Sequence, residues 1–266
     1  MEVFDIKTLR KCLNTRLIGR ELRYCPEVDS TNAMALRLAT EWAAEGAVVV
    51  AETQSKGRGR AGKPWYSPPG VNLYLSVILR PAVEVQKAPL LTLISSLAIA
   101  DAIEAEGGQA QVKWPNDVLL TDRKVAGVLA ELQALGERVE TLVLGIGVNV
   151  NVRQDSLDQA LGETAWGATS LKEVLGRDID RVAFAVTLLE SLERRYDRFR
   201  GSGGKAIMQE WKARSSLGQR ARIIEPGRSI EGTPEDIDEA GCLLVRLDDG
   251  ILLRVLEGEL LPLHHR

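Results

Sequence analysis

Between Asp29 and Gly46 the apolar residues Ala35, Leu38, Ala39 and Trp42 recur at i, i+3, i+4 and i+7, the spacing that lines one face of a helix. Asp29, Ser30 and Thr31 are its candidate caps and Gly46 its stop. Upstream, short apolar and basic stretches from Ile6 to Leu22 predict a helix followed by an extended segment. "AVVVAE" predicts a buried strand, and "VNLYLSVIL" a half-buried one, with Leu73, Leu75, Val77 and Leu79 opposing Asn72, Tyr74, Ser76 and Ile78 until Pro81. Pro89 to Glu106 is apolar on most sides and opens on a proline, as a well-buried helix does. The run from Gln111 to Asn151 predicts three β segments, separated by turns at Thr121-Asp122-Arg123 and Gly136-Glu137. Turns this short join antiparallel neighbours. After a polar interval from Arg153 to Gly167, helices are predicted near Thr169–Leu175, Ile179–Arg200 and Lys205–Arg214. Beyond Leu217 the texture becomes strand-like, in "RARIIE", "CLLVRL" and "ILLRVL", the last two joined by Asp248-Asp249-Gly250, a hairpin signal. The expected architecture is a mostly antiparallel sheet flanked by helices over residues 1–216, with a small β barrel over 217–266.

Composition narrows the chemistry. The 266 residues carry 34 basic and 37 acidic side chains, a net charge of -3, so no global field favours a polyanion and any basic function is local. The two histidines, His264 and His265, stand at the end of the chain, which excludes a histidine triad or histidine metal site in its body. Cys12, Cys25 and Cys242 are dispersed and odd in number, against both a disulfide framework and a zinc knuckle. The N-terminus has no signal-peptide pattern and no apolar run of membrane-spanning length is expected. A soluble cytoplasmic protein with no membrane partner is the expectation.

Local charge concentrates in "ETQSKGRGRAGKPWYSPPG", Glu52 to Gly70, where Lys56, Arg58, Arg60 and Lys63 sit among four glycines. Glycines let backbone N–H groups approach an anion, and arginines can grip phosphate or carboxylate with two hydrogen bonds. By charge alone the stretch is equally a solvated flexible loop. Trp65 and Tyr66 would anchor its exit while its middle stays mobile, as a ligand-ordered lid requires. The glycine spacing fits neither a dinucleotide fold nor a Walker loop. "KWPND", Lys113 to Asp117, is a polar turn that could contact a nucleotide or satisfy only local backbone. Lys124 heads an apolar run and points either into a cleft or into solvent. In "GIGVNVN" the glycines imply close approach of another group.

In order and spacing, "DSTN", the basic glycine-rich stretch, "KWPNDVLLTDRKVAGVLAE" and "GIGVNVN" resemble the signature blocks of biotin-protein ligases, also called biotin-[acetyl-CoA-carboxylase] ligases, from about Leu17 to the C-terminus. The resemblance implies a sheet related to class II aminoacyl-tRNA synthetases and lipoate ligases, with an SH3-like barrel after it. It implies an enzyme that joins biotin to ATP, accompanied by Mg²⁺, and passes the biotinyl group from biotinyl-5'-AMP to a lysine of a biotin carboxyl carrier protein or domain. By the same resemblance, Ser30, Thr31, Asn32 and Gln54 bind the biotin head group. Arg58, Gly59, Arg60 and Lys124 bind its carboxylate end. Lys63, Trp65, Lys113, Asn116 and Asn149 join Arg58, Arg60 and Lys124 around ATP. Lys124, Arg60 and Asp117 are the implied catalytic set, with Asp117 the candidate to orient or deprotonate the acceptor lysine. Some bacterial members start with a helix-turn-helix; about sixteen residues precede "RLIGREL" here, so a monofunctional ligase without operator binding is expected, with pairing of two copies through sheet edges a further implication. Ala61 to Pro64 departs from relatives richer in arginine, which bears on loop closure. The competing readings are a lipoate or octanoate transferase of the same superfamily, a nucleic-acid-binding protein using the basic loop, and a biotin-binding sensor without ligase activity.

Overall fold

The computed structural model describes residues 3–41 and 43–263; Trp42 of the expected helical face and the histidine pair lie outside them. In chain order the elements are α1 (Ile6–Cys12), β1 (Leu22–Cys25), α2 (Thr31–Thr40), β2 (Val48–Ala51), β3 (Leu73–Leu79), α3 (Pro89–Ala105), β4 (Ala110–Lys113), β5 (Asp117–Leu120), β6 (Arg123–Leu135), β7 (Arg138–Val148), α4 (Gln154–Leu161), α5 (Leu171–Leu175), α6 (Arg181–Ser202) and α7 (Lys205–Ala213). Strands β8 (Ala221–Glu225), β9 (Arg228–Ile237), β10 (Leu243–Arg246), β11 (Leu252–Val255) and β12 (Glu259–Pro262) follow. The first sheet has the order β1-β2-β3-β7-β6-β5-β4 and the second β11-β10-β9-β8-β12. Only β1 and β2 run parallel; the other pairings are antiparallel. The expected mostly antiparallel sheet with an SH3-like β unit is what forms.

Helix α3 is buried nearly all round because it is wedged between the first sheet and α6, so no polar stripe breaks its pattern. The stretch Val85–Ala105 is long and apolar enough to cross a membrane by length and composition, contrary to expectation, but most of it is buried inside the fold. On the other face of the sheet α2 covers β2, β3 and β7. Strand β3 is therefore buried on both faces and not half-buried: Leu73, Leu75, Val77 and Leu79 enter the main core, while Ile78 packs with Ala35, Ala39, Val49 and Val143 beneath α2.

Other departures have local causes. Four strands, not three, span residues 110–148, because "KWPND" is itself the turn between β4 and β5. The polar interval holds α4, which buries only Leu157 and so leaves no apolar period to read. In the second sheet β9 runs through Gly232 and Pro234, residues that read as turn signals. A Cβ at Gly232 would lie 2.6 Å from the Arg246 carbonyl oxygen, and Pro234 pairs with Val245 at a bulge. Helix α2 stops at Thr40, short of Gly46, and its N-cap Ser30 makes no side-chain capping bond.

A polar knot ties the helical layer to the entrance of the second sheet. Asp101 of α3 accepts hydrogen bonds from Arg195 Nε and Nη2, both at 2.7 Å, from Arg214 Nη1 at 2.7 Å and from Ser191 Oγ. The Arg214 carbonyl in turn accepts from the Val112 N–H at 3.0 Å, one residue before Lys113. Burial alone would raise the Asp101 pKa, but the bonds from Arg195, Ser191 and Arg214 bring it down to about 2. A depressed carboxylate stabilises the fold fully above its unfolded pKa near 3.8 and loses that contribution as pH falls through about 2. Asp101→Asn is expected to cost about 2 kcal/mol at pH 7, with variant and parent converging in urea melts as pH approaches 2. An equal cost at both pH values would remove charge from the account.

Candidate active site

The floor of the site is made by two glycine rows across the first sheet. Gly127, Gly147 and Tyr74 are in register across β6, β7 and β3, as are Leu129, Gly145 and Ser76. Alternation sends Ile146 and Val148 to the main core and turns the intervening glycines the other way. That side has no room for a side chain. A Cβ on Gly147 would lie 2.6 Å from the Trp65 ring, and one on Gly145 would lie 2.1 Å from Asn32 Oδ1. The glycines of "GIGVNVN" thus admit the close approach of Trp65 and Asn32.

Around this floor the polar groups hold one another in fixed orientations. Asn32, at the start of α2, donates from Nδ2 to the Leu129 carbonyl at 3.1 Å and to Glu131 Oε2 at 2.7 Å, while its Oδ1 accepts from Ser76 Oγ at 2.6 Å. Gln54 Oε1 accepts from the Thr31 N–H at 2.9 Å and from its hydroxyl at 3.2 Å, satisfying one of the first-turn donors that have no partner within the helix. Gln54 Nε2 donates to Ser67 Oγ at 3.0 Å. Ser30, Thr31 and Asn32 are all buried. Trp65 Nε1 is buried without a hydrogen-bond partner, a donor whose desolvation a ligand oxygen would offset.

Next to Trp65 stands a cluster of cations. Lys124 Nζ lies 5.4 Å from the Trp65 ring centroid and 2.6 Å from Asp117 Oδ1; the latter contact is an ion pair whose angles fall outside a hydrogen bond. Lys113 pairs with Asp117 across the β4–β5 turn. Burial lowers the Lys113 pKa and Lys124 adds to the effect, while Asp117 and Glu259 oppose it. The basic loop folds over this cluster. Gly59 N–H donates to the Lys63 carbonyl at 2.7 Å around a short 3-10 turn at Arg60–Gly62. Ala61 takes a φ of 53° there, a left-handed value that costs a non-glycine residue. Arg60 Nη1 donates to the Gly258 carbonyl at 3.2 Å, and Lys63 Nζ to Glu259 Oε2 at 2.6 Å, so the loop is latched to the turn between β11 and β12. Burial lowers the Arg60 pKa against the attraction of Glu257, Asp117 and Glu259. Burial would raise the Glu259 pKa, yet the hydrogen bond from Lys63 and the charges of Lys113 and Lys124 hold it below the usual carboxylate range.

Arg60, Lys63, Lys113 and Lys124 therefore form one field, partly offset by Asp117, Glu257 and Glu259, whose carboxylates stand where an oxyanion would be welcome. Arg58 lies at its rim, 3.4 Å from Glu131. Two further expected members are tied to the framework by one bond each from Nδ2. Asn116 Nδ2 donates to the Val128 carbonyl at 2.7 Å. Asn149 Nδ2 donates to the Thr169 carbonyl at 3.0 Å, and its Oδ1 accepts from Asn72 at 3.4 Å. Both lock loops to strands, and each amide keeps a second N–H.

Residues 24–149 match the model of the biotin/lipoate A/B protein ligase family, and residues 216–259 that of the biotin protein ligase C-terminal domain. The bifunctional ligase/repressor BirA of Bacillus spizizenii is 36% identical over 245 residues, 91% of this chain and 74% of that protein. The chain belongs to the biotin/lipoate A/B protein ligase family. The biotin-[acetyl-CoA-carboxylase] ligase of Paracoccus denitrificans is 36% identical over 230 residues, 82% of this chain and 91% of its own. The structure of the Aquifex aeolicus biotin protein ligase in complex with biotin and ATP superposes with a TM-score of 0.76 at 31% identity, covering 91% of this chain and 97% of that one. Within this ligase site, reading the sequence alone passed over Glu131, Ser76, Ser67 and the acids Glu257 and Glu259. A charge inside the apolar run "VAGVLAEL" was a legible signal for Glu131. Glu257 and Glu259 had none, since they reach the site only through the packing of the second sheet.

Proposed function

We propose that this protein activates biotin with ATP, forming biotinyl-5'-AMP and pyrophosphate, and then transfers the biotinyl group to a lysine of the biotin carboxyl carrier protein or domain of acetyl-CoA carboxylase. The observation that carries the reading is the junction at Trp65, where oriented amides above a glycine floor meet a cluster of four cations. A neutral head group with both N–H donors and a carbonyl suits the first part. The second suits a carboxylate attacking a phosphate, two anions that approach only where positive charge is already in place.

In that reading Asn32, Thr31 and Gln54 hold the head group, with Ser30 backing them. Lys124 stands at the junction of carboxylate and α-phosphate, and Arg58, Gly59 and Arg60 close over the adenylate. Lys63 receives phosphate in exchange for Glu259, and Lys113 adds its charge beside it. Mg²⁺ enters as part of the nucleotide substrate; among the described residues no cluster of three or more His, Cys, Asp or Glu could hold a metal ion. In the second step Asp117, released from Lys124, orients or accepts a proton from the acceptor lysine. Residues 1–216 would carry both substrate sites and 217–266 the acids that latch the loop.

The test is direct. With biotin, Mg-ATP and a biotin carboxyl carrier domain, the pure protein should render the carrier detectable by streptavidin, and omission of ATP should prevent it. Lipoate or octanoate accepted in place of biotin would overturn the assignment.

A further inference from the structure

Glu131 belongs to none of the sets above, yet it touches two of them. It lies on β6, two residues beyond Leu129, and its carboxylate reaches Asn32 with one oxygen and Arg58 with the other. Asn32 is buried and hemmed in, with Gly145 beneath its oxygen. An asparagine has two N–H donors and one acceptor oxygen. Here the Leu129 carbonyl and Glu131 consume both donors, and neither partner can itself donate. The amide can therefore sit only one way round, with Ser76 donating to its oxygen. What remains for a ligand is the second lone pair of that oxygen, so the residue can accept from a ligand N–H and cannot donate to a ligand carbonyl.

We propose that Glu131 is a positioning residue that fixes Asn32 as an acceptor for a head-group N–H and, through its other oxygen, tethers Arg58 of the basic loop. The proposal rests on the biotin reading, whose ureido ring supplies such N–H groups. Without Glu131 one Asn32 N–H has no acceptor, only the Leu129 carbonyl still opposes a half-turn of the amide, and in the turned form a donor meets the ligand's donor.

Glu131→Ala is expected to raise the biotin KM about 10- to 100-fold, the range of a hydrogen bond to a charged group, with the ATP KM within about twofold. Glu131→Gln, which keeps a carbonyl for Asn32, should hold the biotin KM within about threefold of wild type. A donor–acceptor exchange gives the sharper result. Asn32→Asp places a carboxylate against Glu131 and should bind biotin at least about 100-fold more weakly. Adding Glu131→Gln supplies an N–H to that carboxylate and should recover at least about tenfold of the loss. A wild-type biotin KM in Glu131→Ala, equal rises in the biotin and ATP KM, or a double variant no better than Asn32→Asp would each overturn the proposal while leaving the ligase reading standing. A wild-type protein that forms no adenylate from biotin would overturn both.

Discussion

Lys124→Ala is expected to slow pyrophosphate release from biotin and Mg-ATP by about 10³-fold, the scale on which one preorganised donor at a developing charge is felt. Lys124 lies 2.6 Å from Asp117, beside Trp65 and within the field of Lys113 and Arg60. It also borders the glycine floor, with its chain 3.3 Å from a Cβ placed on Gly127. A biotin carboxylate arriving there would exchange with Asp117 on Lys124 and be neutralised. The alanine variant removes that cation and also bares the Asp117 carboxylate, so two causes of failure must be separated. Lys124→Ala/Asp117→Asn restores charge balance without restoring the cation. If the double variant stays inactive, the missing ammonium is responsible; if it regains most of the rate, the single variant failed through an unpaired acid and Lys124 has no direct part in adenylation. Near-normal pyrophosphate release in the single variant would dismiss Lys124 altogether.

The parts of this site that could be read from residues are those whose physical demand is local. Gly145 and Gly147 announce close approach because a strand gains nothing from glycine otherwise, and Pro89 with the apolar run after it announces a core helix. What could not be read depends on register or on distance along the chain. Glu131 faces Asn32 only because β6 pairs with β7 so that Leu129 lies opposite Gly145, a choice made by the whole sheet. Glu259 reaches Lys63 across nearly the length of the protein. The bonds of Asn116 and Asn149 to neighbouring carbonyls were hidden for the same reason, since an amide beside a strand does not announce its partner. The loop from Glu52 to Gly70 stood out in its charges and in its aromatic anchors. Its latch on the second sheet did not.

That latch makes Arg60→Gly the variant with the largest expected effect on retention of the intermediate. The Arg60 guanidinium has five N–H donors and its contact with the Gly258 carbonyl uses one nitrogen. Burial already disfavours its charge, so a phosphate or carboxylate at the remaining donors offsets that cost. Biotinyl-5'-AMP should consequently be held more tightly than either substrate, and losing Arg60 should be felt after adenylation more than before it. Escape of the adenylate into solution is expected to rise about 10- to 100-fold, read as free biotinyl-5'-AMP by chromatography and as biotin on lysines of a bystander protein. Arg60→Lys supplies the charge without the planar fork and should fall between the two. Because Lys63 and Lys124 still supply positive charge for the phosphates, adenylate formation itself should fall less than retention does. A glycine variant that retains its adenylate as well as wild type would mean that the loop closes through Lys63 alone and that Arg60 serves only the join between the two sheets.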